Sequence, residues 1–356
     1  MKLDLPKPSP DKNAFDSMLL RGFKRFPKRE ENYNKCINRG FPTEVLDYLP
    51  IRMDYEIVSR CNFRCKMCIM SMLDTGKRAE DTTFEDFKNS VDDMYGLIEI
   101  KLQGLGEPLL HPGIFDMIAY ASDLDIWTRT TVNGSLLHVK ENYKRLIDSN
   151  PGEVQVSIDG ATKEVFQHIR VGSDFDKVVE NTTLLNNYQA SKGVLKTRCW
   201  SVVQKSNRHQ LKEIIDLCER MGFSRLTFSI NLSPCGYEEM DRLNKEQDIR
   251  ADFTTEEGQS LIEYGKRKGI EVTFWDYGSL YSMTEDRSKI CRWLFERAFI
   301  SSDMKVVPCC TIANPSVLNF GNGRKTSDVW NNENYRDFRR KHINGEIPGV
   351  CSKCYI

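Results

Sequence analysis

Two groups of cysteines carry most of the chemistry this sequence can do. The first is the run CNFRCKMC, which places Cys61, Cys65 and Cys68 in one short loop. Three thiolates so spaced can wrap a single metal centre. On a cubane of four irons they leave one iron without a protein ligand, open to a small chelating molecule. Zinc is the alternative, although it ordinarily takes four ligands and favours Cys-x-x-Cys pairs. The second group lies near the C-terminal end. Cys291 and Cys309 bracket a predicted hairpin, and Cys351 and Cys354 form a local pair. Four thiolates would fully ligate a second 4Fe–4S cluster or a structural zinc. Cys310 competes with its neighbour Cys309 for the fourth place.

The other cysteines, Cys36, Cys199, Cys218 and Cys235, read first as small buried hydrophobes. Cys235, in SPCGY, follows a strand, where a thiol can return a hydrogen atom to a substrate radical. The five histidines show no metal spacing, and His111 has a core or surface role as its simplest reading. Lys plus Arg equals Asp plus Glu at 51 each, so no global basic field points to nucleic acid as partner. No run of eighteen uncharged apolar residues is long enough to cross a membrane. The first residues carry charges and prolines where a signal peptide needs an apolar run. A cytoplasmic protein follows as the expectation, and there twelve cysteines are ligands or buried thiols before they are disulfides.

The elements that must position these groups are legible as an alternation. Strand candidates are 53–59, 97–103, 126–132, 153–158, 195–203 and 225–230. Helix candidates between them are 84–95, 113–122, 139–149, 175–191 and 208–221, the last with Asn207 as its cap and Gly222 as its stop. Six strand–helix repeats predict an α/β fold, a partial (βα)6 TIM-like barrel, extended by a further unit at about 254–275. Residues 1–50 read as a charged, irregular lead-in, 51–275 as the barrel, and 276–356 as a small α+β unit. The last unit has strands at Arg297–Ile300 and Lys305–Val307 and so little apolar content that metal is a plausible staple. In parallel βα folds, function sits in the loops after the strands, and the motifs fall there.

With CxxxCxxC directly after the first strand, the chain resembles the radical S-adenosylmethionine (SAM) superfamily. The resemblance implies a 4Fe–4S cluster on Cys61, Cys65 and Cys68 whose open iron chelates SAM. An electron then cleaves the cofactor to methionine and a deoxyadenosyl radical. Met67 departs from the aromatic residue usual in the family. The resemblance implies cofactor contacts in successive loops: Gly106 and Glu107 in QGLGEP near the methionine amino group, Thr131 and Asn133 in TVNGS, Ser157 and Asp159 in VQVSIDG at the ribose, and Arg170 at the carboxylate. The C-terminal segment, with its GN turn, DVW and final CxxC, resembles the SPASM/Twitch extension, in the short form with one auxiliary cluster on Cys291, Cys309, Cys351 and Cys354. Relatives of this kind imply oxidation of a secondary alcohol on a sugar or aminocyclitol, with the auxiliary cluster taking the electron. The alternative is epimerisation or crosslinking of a ribosomally made peptide. A flavodoxin or ferredoxin is the implied reductant.

Overall fold

The computed structural model describes residues 3–233, 236–276, 281 and 290–355. Its strands are β1 (Arg52–Tyr55), β2 (Arg64–Cys65), β3 (Glu99–Leu102), β4 (Trp127–Val132), β5 (Glu153–Ser157), β6 (Arg170–Val171), β7 (Thr197–Val202), β8 (Arg225–Ser229), β9 (Glu271–Trp275), β10 (Arg297–Ile300), β11 (Lys305–Val307) and β12 (Gly321–Asn322). Ten of them form one sheet in the order β12-β11-β10-β1-β3-β4-β5-β7-β8-β9, while β2 and β6 pair separately. From β10 through β9 every neighbour is parallel. The sheet ends in two edges, which makes it an open barrel.

Alternation along the strands separates two faces. Ile100, Leu102, Val154, Val156, Leu226 and Phe228 turn to the helices and are buried in the main core. Those helices answer with apolar stripes at helical spacing, as in Leu211–Arg220, which buries Leu211, Ile214, Ile215 and Cys218. The opposite parity faces the lumen and is charged. Arg52 and Arg129 both meet Glu99, at 3.2 and 2.5 Å. Arg198 and Arg225 both meet Glu153, at 3.0 and 3.5 Å. This network closes the floor of the barrel.

The predicted strands and long helices appear within a few residues of their expected bounds. Two expectations are corrected. Residues 1–50 are not irregular: they contain helices Lys12–Arg25 and Pro27–Ile37. Their prolines sit outside the helices or at a first helical position, where no backbone donor is lost. Before them, Pro6 O accepts from Phe274 N of the edge strand β9, and Ser9 O accepts from Arg198. Phe15 packs edge-on against Trp127, so the lead-in covers the bottom of the barrel. Asn207 also does not cap its helix. Its side chain instead donates to the carbonyls of Asp159 and Val202.

The C-terminal unit is less separate than its sequence suggests. The hairpin β10–β11 extends the barrel sheet, because β10 pairs in parallel with β1. A second core gathers Leu46, Tyr48 and Ile51 with Leu294, Phe295, Phe320, Trp330 and Tyr335. Trp330 Nε1 donates to Tyr48 O at 2.9 Å, and buried Arg339 stacks beneath Trp330 while donating to Leu294 O. Residues 44–51 are thus built into the same core as the tail.

Candidate active site

After β1 the chain enters the cysteine loop, and β2 pairs antiparallel with β6 so that Cys65 lies opposite Arg170. Arg64 donates to the carbonyls of Cys61 and Phe63, Lys66 N to Ile169 O, and Cys68 N to Cys65 O. These bonds curl the loop and set each of the three thiols within electrostatic range of another. Burial, with the neighbouring thiols adding to it, pushes Cys61 and Cys65 up to about 12 and Cys68 upward. Such a pocket keeps thiols neutral until a cation binds, and binding then releases protons.

The loops after the next strands pack directly on this one. A Cβ at Gly106 would lie 2.4 Å from Val58 O and 2.6 Å from Arg60 O, so only glycine lets the two loops meet. Glu107 is buried, and its carboxylate accepts from Leu109 N at 3.1 Å and Asn133 N at 2.8 Å. Burial pushes it up to about 7 against those hydrogen bonds. Asn133 Nδ2 donates to Asn62 inside the cysteine loop. Glu56 anchors the same corner, accepting from Leu105 N, Ser302 N and Arg78.

Of the residues expected to touch a cofactor, Thr131 donates to Gln155 within the lumen. Asp159 is fully buried, binding Arg170 at 2.6 Å and accepting from Val202 N at 2.7 Å. The structure therefore places Asp159 behind Arg170, orienting it, rather than open to a ribose. Arg170 keeps a buried Nε–H without an acceptor, and the Ser157 hydroxyl has no hydrogen-bond partner among the described residues. Three convergent thiols beside an unpaired guanidinium donor fit a cluster with a carboxylate-bearing chelator. His111 is structural, bonded to Thr82 O and Gly113 N.

The second thiol group lies in a buried neighbourhood of its own. Burial raises all four, and at Cys309 the neighbouring thiols Cys310, Cys291, Cys354 and Cys351 add to it. Cys291 N donates to the hydroxyl of Tyr355, which follows Cys354 directly. Cys310 turns instead toward Asp54, Lys101 and Arg297. Cys310 also feels Cys354, so both neighbours lie within range of the C-terminal pair. A small apolar cluster of Ile69, Met70, Leu105, Phe299, Val307 and Ala313, with Cys61 and Cys68 against it, joins the first loop to the hairpin that leads to Cys309. Cys235 lies outside the described residues.

Residues 55–218 match the Radical SAM superfamily and residues 291–355 an iron–sulfur cluster-binding domain, SPASM. The chain carries a Radical SAM domain followed by a SPASM domain. Its first domain binds a 4Fe–4S cluster and SAM, and its C-terminal domain binds auxiliary iron–sulfur chemistry. Among characterised relatives it is 24% identical over 325 residues to an AdoMet-dependent heme synthase of Methanosarcina barkeri, covering 86% of this chain and 88% of that protein. It is 22% identical to a PqqA peptide cyclase of Bradyrhizobium diazoefficiens, over 86% of this chain and 79% of the cyclase. The fold is that of SuiB from Streptococcus suis, with TM-score 0.62 and 16% identity over 90% of this chain and 71% of SuiB.

Sequence reading missed the lumen-facing charges Asp54, Lys101, Arg129 and Arg297. A signal existed: Arg52/Asp54/Glu56 and Glu99/Lys101/Gln103 place a polar residue at every second position of otherwise apolar strands.

Proposed function

We propose that this radical SAM protein oxidises a substrate held in the barrel lumen, with the auxiliary cluster receiving the electron. When bound, the cofactors supply a deoxyadenosyl radical at the first site and a one-electron acceptor at the second. Cys61, Cys65 and Cys68 would hold the first cluster, and Cys291, Cys309, Cys351 and Cys354 the second. Arg170, oriented by Asp159, would take the carboxylate of SAM, and Gly106 and Glu107 would shape its amino end. Asn133 braces the cysteine loop through Asn62. The observation that carries the reading is the apolar cluster that packs Cys61 and Cys68 of the first loop against the β10–β11 hairpin, the segment that leads to Cys309. A redox-neutral hydrogen transfer has no need of a second cluster there.

The inward Thr131, Gln155, Ser229 and Asn231 offer partners to a hydroxyl-rich small molecule, which supports the sugar or cyclitol reading. The likeness to a peptide cyclase over most of both chains favours a peptide as the second reading. A cytoplasmic setting and a flavodoxin or ferredoxin reductant belong to either reading. The test is anaerobic turnover of the reconstituted protein with sugars, cyclitols and short peptides. One 5′-deoxyadenosine is expected per product molecule two hydrogens lighter than its substrate. Cys291→Ala/Cys354→Ala is expected to form no such product, and an undiminished yield in it would overturn the acceptor role.

A further inference from the structure

We infer that the substrate carries a small anionic group, a carboxylate or a phosphate, and that Lys101 binds it inside the barrel. The inference deepens the proposed oxidation and rests on it for the word substrate. The anion site itself stands on this chain's own geometry.

Register sets Asp54, Lys101 and Arg129 side by side on β1, β3 and β4, all on the inward face. The outer two have their counter-charges. Asp54 is met by Arg297 Nη1 at 3.3 Å, and Arg129 by Glu99 at 2.5 Å. Lys101 between them has no ion-pair or hydrogen-bond partner among the described residues. It is half-buried, enclosed by the strands yet open to the lumen. Its ammonium faces the lumen with no ion-pair partner among the described residues, placed to receive an anion. Arg129 likewise has a buried Nε–H without an acceptor, and Gln103, just past the end of β3, has a buried Oε1 without a donor.

The charges around Lys101 sharpen this. Arg129 and Arg297 repel it, Asp54 attracts it, and burial with Arg129 draws its pKa below the ordinary lysine value. A guest anion would relieve that repulsion. A guest ammonium would add to it, which turns the reading away from aminocyclitols and toward sugar acids, phosphorylated sugars or acidic peptide side chains. Position supports the same assignment. Cys310, beside the auxiliary thiol Cys309, reaches Lys101 from one side, and the loop that follows Gln103 carries Gly106 and Glu107 onto the first cysteine loop. An anion tethered at Lys101 would hold the rest of a substrate between the two thiol sites.

The test uses the anaerobically reconstituted holoprotein with its lysines reductively 13C-methylated, which keeps their charge. The Lys101 resonance is assigned by its loss in Lys101→Arg. Succinate and inorganic phosphate are titrated separately at constant ionic strength. A saturable shift of the Lys101 signal alone, with a millimolar midpoint, is expected for at least one. Succinate alone would identify a carboxylate and phosphate alone a phosphoryl group. A parallel thermal-shift series should show the same anion stabilising wild type and Lys101→Arg, with the midpoint weakened at least tenfold in Lys101→Gln. No shift, equal small shifts at all lysines, or identical stabilisation of Lys101→Gln would overturn the assignment. The titration needs no turnover, so its failure would leave the radical oxidation standing, and the iron content tests that reading alone.

Discussion

At the scale of single residues, the site is governed by what surrounds each polar group. Gly106 is the clearest case, since the backbone of Val58–Arg60 occupies the space a side chain would need. Gly106→Ala must push the cysteine loop away from the loop after β3. We expect its iron content after reconstitution to fall by about half, with the auxiliary site still filled. Glu99 is a second case. Burial would raise its pKa, but Arg129, Arg297 and Arg52 outweigh burial and hold it down at about 2. Its folded value lies below its ordinary 4.5, so its contribution is complete above about pH 4.5 and is lost as pH falls toward 2. Urea titrations from pH 6 to 2.5 should show this acid limb in the wild type. Glu99→Gln should start lower and show a flatter limb; an identical slope would contradict the assignment.

At the scale of elements, Trp330 is one of the side chains that tie the lead-in to the tail. Trp330 is fully buried, bonds to Tyr48 O and lies on Arg339. Trp330→Ala should cost roughly 3–5 kcal/mol, read as a lowered denaturation midpoint. Unchanged stability would mean that residues 44–51 and the tail do not share a core in solution. Elements were the most legible part of the sequence. Strands and helices of the barrel declare themselves through apolar periods of two and 3.6, and Phe175–Ser191 falls on its expected bounds. The lead-in helices were not legible, because Lys12–Arg25 and Pro27–Ile37 are highly charged and their apolar stripes, such as Met18 with Gly22, are thin. Their helicity comes from packing against the barrel floor, which is a tertiary effect.

At the scale of the whole molecule, one continuous sheet runs from the β12 edge through the barrel to β9, so the two thiol sites share a scaffold. The sequence shows both cysteine groups and their order, because ligand spacing is a local property. It does not show that β10 pairs with β1, that Cys310 lies near Asp54 and Lys101, or that Asp159 stands behind Arg170. Those facts depend on register and on contacts between distant segments. The same limit hides the unpaired Lys101, whose meaning appears only when Asp54 and Arg129 are known to flank it.

The central claim is that two iron–sulfur clusters sit at one barrel mouth. The measurement that tests it most directly is iron, sulfide and zinc per chain after anaerobic reconstitution, in the wild type and in Cys291→Ala/Cys354→Ala. The account predicts about eight irons falling to about four in the variant. About four irons and one zinc in the wild type would make the tail a structural staple and contradict the auxiliary cluster as electron acceptor.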